Sequence, residues 1–267
     1  NVRMEKRRLE MRTVCEFMLT MLLIGILTST FNIQPVKAYG TIYIKADGSI
    51  NPPDAPISTV DNVTYTFTGD INDSIVVERS NIIINGHGYT VQGTGALLSK
   101  GIHLSSISNV TIKNTNIEGF DHGVYFKSTS YCTVSGNNIT ANDGNGIALS
   151  DSSYNIISGN TITGNDASGV GLYGLVGTTN NNVISANNIT KNYYGIYLDY
   201  SSTNNISGNY ITNNECGIGL LEFSTNNTIS RNNITDNECG ISLGYSSNNS
   251  ISGNNITKNS EDIHIWN

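Results

Sequence analysis

Residues 206–220 read ISGNYITNNECGIGL and residues 229–243 read ISRNNITDNECGISL. The same phrase recurs as VSGNNITANDGNGIAL from Val134, ISGNTITGNDASGVGL from Ile157, ISANNITKNYYGIYL from Ile184 and ISGNNITKNSEDIHI from Ile251, with a looser copy, IKNTNIEGFDHGVYF, from Ile112. The glycine before the last apolar pair stands at Gly101, Gly123, Gly146, Gly169, Gly195, Gly217 and Gly240, and Asp262 takes its place at the end. The steps are 22, 23, 23, 26, 22, 23 and 22 residues. A period this constant is the signature of a repeat architecture.

Four apolar columns run through the repeats. The first is Ile112, Val134, Ile157, Ile184, Ile206, Ile229 and Ile251; the second, five residues on, is Ile117, Ile139, Ile162, Ile189, Ile211, Ile234 and Ile256. The third is Val124, Ile147, Val170, Ile196, Ile218, Ile241 and Ile263, and two residues later comes Phe126, Leu149, Leu172, Leu198, Leu220, Leu243 and Ile265. A spacing of two places residues on one face of a strand. Asn and Gly break the chain into pieces too short for helices, and Asn, Gly, Thr and Ser are poor or mediocre helix formers. The expectation is an all-β chain: a right-handed parallel β-helix of about 22-residue, three-strand rungs, stacked ~4.8 Å apart. Of 39 asparagines, 32 lie in residues 101–267. Asn137, Asn160, Asn187, Asn209, Asn232 and Asn254 are expected to stack at one corner, and Asn142, Asn165, Asn192, Asn214, Asn237 and Asn259 at another. Asn tolerates left-handed backbone, and stacked amides bond along the axis.

The first 38 residues are of another kind. Arg3, Lys6, Arg7, Arg8 and Arg12 precede the apolar run FMLTMLLIGILTSTF (17–31), and Val36-Lys37-Ala38 offers small residues for cleavage. This is the pattern of a secretory signal peptide, so the chain is expected to be exported; an uncleaved anchor is the alternative. Residues 39–73, with Pro52, Pro53 and Pro56, read as an N-terminal cap, and residues 74–267 as rungs. Beyond Ile265, either Trp266 covers the last rung or the chain is truncated. The whole sequence carries a formal charge of −7; without the leader, eight bases face eighteen acids, a charge of −10. Such a chain has no electrostatic footprint for nucleic acid. Three cysteines remain, too few to serve as a scaffold.

The string SIVVERSNIIINGHGYTVQG from Ser74, then GIHLSSISNVTIKN and the N-x-I-S-G-N-x-I-T-x-N-x-x-G-I-x-L repeats, resembles the NosD-type periplasmic copper-binding family and the wider right-handed β-helix class of carbohydrate-binding proteins and sugar hydrolases. The resemblance implies the fold, and through the NosD type it implies copper. Copper prefers Cys, Met and His brought together, yet all four methionines lie in the leader, and His87, His103, His122 and His264 are scattered. His103 and His264 share an outward column but stand seven rungs, roughly 34 Å, apart. Cys216 and Cys239 are in consecutive rungs beside Glu215 and Glu238 and should stack. They could bind copper, oxidise to a disulfide, or remain a pair of small side chains; calcium is the other metal left open.

For sugar chemistry, Asp121-His122 resembles the Asp-Pro-His of alginate epimerases without its proline, and makes the weak catalytic candidate for a lyase, epimerase or hydrolase. For binding, Tyr200, Phe223 and Tyr245 form a short aromatic stack. The 26-residue step places a bulge at Tyr173-Gly174-Leu175-Val176-Gly177-Thr178-Thr179, followed one rung later by Tyr193, Tyr194 and Tyr197. These rings mark the ligand patch. The leading expectation is a monomeric, exported, non-catalytic protein that binds a polysaccharide, a cell-surface glycan or a surface protein. Membrane contact is expected only through an uncleaved leader or a missing C-terminal region.

Overall fold

The computed structural model describes residues 40–174 and 179–266. The expected leader, residues 1–38, and the middle of the long loop, 175–178, lie outside the described residues. Within them the chain is all strand and turn, coiled into a parallel β-helix with three walls. An eleven-stranded sheet, a ten-stranded sheet and an eight-stranded sheet form the walls; each gains one parallel strand per turn, and the first two also include a short antiparallel strand at the N-terminal end.

The register follows the sequence columns. Val134 pairs with Ile112 and Ile157, Ile139 with Ile117 and Ile162, and Ile218 and Leu220 with Ile241 and Leu243. In the inner turns these side chains are fully buried. Burying each Ile or Leu is worth about 1.5–3 kcal/mol. Residues 40–69 continue the walls: Ile42–Ile44 pairs in parallel with Ile75–Val77, and Thr64–Phe67 with Ile82–Asn85. Two short antiparallel strands, Ile50–Asn51 and Ile57–Ser58, finish this end. At the other end Trp266 does not lie over the core. It sits outward in register with Gly244, while Ile263 and Ile265 stay exposed.

The stacked asparagines are present, but their backbone role differs from expectation. The ladder residues do not carry the left-handed conformation. The residue before each one does: Gly136, Gly159, Ala186, Gly208, Arg231 and Gly253 before one ladder, and Ala141, Gly164, Lys191, Asn213, Asp236 and Lys258 before the other. That turn swings the next side chain inward, so the amides are buried rather than set on the corner. Each is then satisfied by the next rung. Asn187 Nδ2 donates to Asn209 Oδ1 at 3.0 Å and to the Ile157 carbonyl at 2.9 Å, while its backbone N–H donates to the same Oδ1 at 3.0 Å. A third ladder, Asn155, Asn182, Asn204, Asn227 and Asn249, repeats the pattern where the eleven-stranded sheet turns into the ten-stranded one.

The glycine column has a different cause. A methyl group at Gly169 would lie 2.6 Å from Ile189 Cγ2 and 2.8 Å from the Gly195 carbonyl oxygen. Close approach of the next rung, not a special φ, excludes a side chain there.

Candidate functional site

Chemistry-bearing side chains gather on the outer face of the eleven-stranded sheet, where three columns point to solvent. The residue before each glycine supplies Lys100, His122, Asn145, Ser168, Tyr194, Cys216, Cys239 and Glu261, paired rung to rung. The residue two after the glycine supplies His103, Tyr125, Ala148, Gly171, Tyr197, Gly219, Ser242 and His264. Two residues further come Lys127, Ser150, Tyr173, Asp199, Leu221 and, near the end, Gly244 and Trp266.

Small residues at mid-face let large rings lie flat. A methyl group at Gly171 would sit 2.6 Å from the Tyr173 ring, and one at Gly219 would sit 2.8 Å from the Tyr194 ring. Tyr173 OH donates to Asn145 Oδ1 at 3.0 Å. The rings then run as a chain: Tyr173 to Tyr197 at 5.7 Å, Tyr197 to Tyr194 at 4.9 Å, and Tyr194 to Tyr193 at 5.0 Å, edge to face. These spacings fall in the range aromatic pairs prefer. Burial pushes the Tyr194 phenol up to about 12 and raises Tyr173 and Tyr197 as well, so all three remain neutral hydrogen-bonding groups. The four tyrosines of the expected patch are thus brought together.

Beyond Tyr194 the face opens into a cleft of about 420 Å³ lined by Tyr193, Tyr194, Cys216, Cys239, Ser242, His264 and Trp266, with Glu215, Glu238 and Glu261 along one side. Trp266 Nε1 donates to Ser242 Oγ at 2.9 Å, and His264 Nδ1 meets Glu261 Oε2 at 2.7 Å. A second cleft of about 320 Å³ shares Tyr194 and Trp266 and reaches Tyr245. Tyr200 and Phe223 do not join it. They stack on each other at 5.9 Å on the neighbouring corner, at positive φ.

Sequence reasoning missed Ser242, Glu261, His264 and Trp266. Their signal was available, because Cys239 and Glu261 occupy one column and Ser242 and His264 the next.

Cys216 and Cys239 do stack, as direct register partners, and both are free thiols. Cys216 is buried and Cys239 half-buried. Burial first, and then the neighbouring Cys239, push the Cys216 thiol far above its ordinary value; burial also raises Cys239. Metals bind thiolates, which these environments disfavour. Among the described residues no group of three or more His, Cys, Asp and Glu is placed to hold a metal. Among the described residues, then, no cluster is placed to hold copper or calcium, and Glu215, Glu238 and the two thiols line the cleft.

Asp121 and His122 stand at the other end of the face. Asp121 Oδ2 accepts the Leu98 N–H at 3.0 Å, and His122 Nδ1 accepts the Asn145 N–H at 3.3 Å. The His122 ring stacks on Tyr125 at 5.3 Å, and His103 tilts against the same ring at 5.5 Å. Burial lowers the His122 pKa, partly opposed by Asp121. Each group thus makes a scaffold bond, through Asp121 Oδ2 and His122 Nδ1.

The model of the family described as periplasmic copper-binding protein (NosD) matches residues 55–217 and 175–267. The chain belongs to the NosD family. No curated protein matches this NosD chain. Among solved structures it is similar to the periplasmic alginate epimerase AlgG, at 13% identity over 79% of each chain with a TM-score of 0.53. It is also similar to the polygalacturonase of Erwinia carotovora ssp. carotovora, at 14% identity over 80% of this chain and 66% of that one, TM-score 0.56. The A-module of the Azotobacter vinelandii mannuronan C-5 epimerase AlgE4 matches at 15% identity over 85% and 89%, TM-score 0.51. At these identities the likeness concerns the fold: this NosD chain shares the parallel β-helix of the pectin-lyase-like class.

Proposed function

We propose that this NosD-family chain is an exported, monomeric, non-catalytic protein that binds carbohydrate, a polysaccharide or a cell-surface glycan, on the outer face of its eleven-stranded sheet. The observation that carries the reading is the run of rings from Tyr173 through Tyr197, Tyr194 and Tyr193 to the cleft edged by Trp266. Sugar rings present an apolar face and a hydroxyl rim. Flat aromatic surfaces match the first, and the Ser242 hydroxyl with the carboxylates of Glu215 and Glu238 matches the second. Export is supported by the leader pattern and by the family's periplasmic description.

A catalytic reading needs a free base or acid near the substrate. Asp121 and His122, the candidates for that work, are tied to Leu98 and Asn145. The test pairs binding with turnover. Calorimetric titration with neutral oligosaccharides should show binding that Tyr194→Ala and Trp266→Ala each weaken at least about tenfold, a loss of about 1.4 kcal/mol. Turnover of a polysaccharide that disappears in Asp121→Ala or His122→Ala would overturn the non-catalytic reading.

A further inference from the structure

The 420 Å³ cleft joins open aromatic surface to uncompensated negative charge. Tyr193 and Tyr194 stand at one end, and His264 with Trp266 three rungs on, a span of ~14 Å at the rung spacing. Both walls are held in place. The Trp266 indole donates to Ser242 Oγ at 2.9 Å and meets the His264 ring at 4.4 Å, while Tyr193 packs edge to face on Tyr194 at 5.0 Å. Tyr193 is 50% exposed and Trp266 56%, so ring surface is open to a ligand. Along the cleft run Glu215, Glu238 and Glu261, one per rung and all exposed. Glu261 is engaged by His264 Nδ1 at 2.7 Å. Among the described residues Glu215 and Glu238 have no ion-pair partner, and no Lys or Arg lines the cleft. The second cleft, which shares Tyr194 and Trp266, adds Glu222 and again no Lys or Arg. Like charges on neighbouring strands repel, and no basic side chain of the lining offsets that cost.

We propose that this cleft is a subsite for an organic ammonium group, the free amine of an amino sugar in the bound glycan. Tyr and Trp faces attract a cation through the ring quadrupole, and the carboxylates accept its N–H donors in charge-assisted hydrogen bonds. A bare metal ion lacks a converging ligand set here, since among the described residues no three His, Cys, Asp or Glu are placed to hold one. An ammonium needs no such set, because it carries its own donors and its sugar ring covers the aromatic surface. The same carboxylates repel acidic sugars, so the cleft selects its glycan by charge.

This proposal rests on the glycan-binding reading, and the experiment separates the two. Three probes are titrated into the intact protein at about pH 6, where ordinary carboxylates are ionised and aliphatic amines protonated: a fully acetylated chitin tetrasaccharide, the same tetrasaccharide with free amines, and tetramethylammonium. Trp266 is the chain's single tryptophan, so its fluorescence reports on this cleft directly. The free-amine sugar should bind about tenfold tighter than the acetylated one at low salt, shift the Trp266 emission, and lose that advantage at about 1 M salt. In the Glu215→Gln, Glu238→Gln double variant the ratio of the two affinities should fall to near one, whatever becomes of the affinity for the acetylated sugar. Both positions are exposed, so the variant keeps its fold, which an unchanged Tm verifies. Equal affinities, or an advantage that survives high salt or the double variant, would refute the subsite while the glycan reading stands. If neither sugar binds, tetramethylammonium that shifts the emission of the unaltered protein but not of the double variant leaves the ammonium site standing and the glycan reading fallen; any other result in that case removes both.

Discussion

Replacing Asn209 with Ala tests the claim that the amide ladders, as much as the isoleucine columns, hold the rungs together. Asn209 is 1% exposed. Its Oδ1 accepts two N–H groups of Asn187, one from the backbone and one from the side chain, each at 3.0 Å. Its Nδ2 donates to the Ile184 carbonyl at 2.9 Å, the Ser207 carbonyl at 3.3 Å and Asn232 Oδ1 at 2.9 Å. After truncation Asn187 Nδ2 keeps the Ile157 carbonyl, but the Asn187 backbone N–H has nothing left to reach. One buried orphan costs about 1–3 kcal/mol and each net hydrogen bond lost about 1 kcal/mol, so the total is about 4 kcal/mol. For a chain of this size that corresponds to a Tm lower by about 8–16 °C. Scanning calorimetry is the assay, and the adjacent Asn188→Ala is the control: Asn188 is exposed, and its loss should stay within about 0.5 kcal/mol. Asn209→Asp should be worse than Ala, because a carboxylate oxygen would then face the Ile184 carbonyl and Asn232 Oδ1. Equal Tm values for Asn209→Ala and Asn188→Ala would show that the ladder contributes nothing beyond packing.

Other consequences can be checked directly. Burial raises the Cys216 and Cys239 pKa values, so alkylation of the native protein at pH 8 should be slow and should reach half-buried Cys239 before Cys216; recovery of the two as a disulfide by mass spectrometry would contradict the thiol pair. Burial lowers the pKa of both His103 and His122 below the ordinary 6.5, so the folded state binds fewer protons than the unfolded one and stability should fall as pH drops below about 6.5. NMR titration midpoints at or above 6.5 would contradict this. Gly169→Ala should cost about 1–3 kcal/mol by forcing the next rung away, whereas Gly159→Ala, with open space around it, should cost about 1 kcal/mol of backbone strain, as at Ala186 in the same column. A larger Tm loss for Gly159→Ala would reverse that account.

The four apolar columns were legible because every rung repeats them with a β-branched or large apolar residue at a fixed offset from glycine. Two of the three amide ladders were legible for the same reason. The third escaped because it lies outside the recurring phrase and begins from Cys132, whose backbone N–H donates to Asn155. The left-handed residues were misassigned by one position: Asn is a usual occupant of that conformation, but the inward demand on the ladder amide outweighs its tolerance, and the preceding residue takes the turn instead, whether Gly, Ala, Arg, Lys, Asp236 or Asn213. At the site, the Tyr cluster and the stacked cysteines followed from spacing alone. The contribution of His264 and Trp266 did not, although Asp262 aligns with the glycine column: the cleft exists only where the Cys239 and Ser242 columns meet Glu261, His264 and Trp266 in three dimensions, and no single column shows it.

The long rung between Gly169 and Gly195 shows how the walls tolerate change. Despite the extra residues, Asn155 still meets Asn182 and Ser152 still meets Thr179, so the coil is back in phase before the next strand begins. Length can therefore vary where the eleven-stranded sheet hands over to its neighbour, while a one-residue deletion between Asn155 and Asn165 would turn inward side chains outward and unpair two amide columns at once. The ladders act as a phase lock: a loop can be added at the seam beside the ring-bearing face without disturbing the pitch of anything that follows, and the extra residue between Asn142 and Gly146 is absorbed in the same way at the opposite corner.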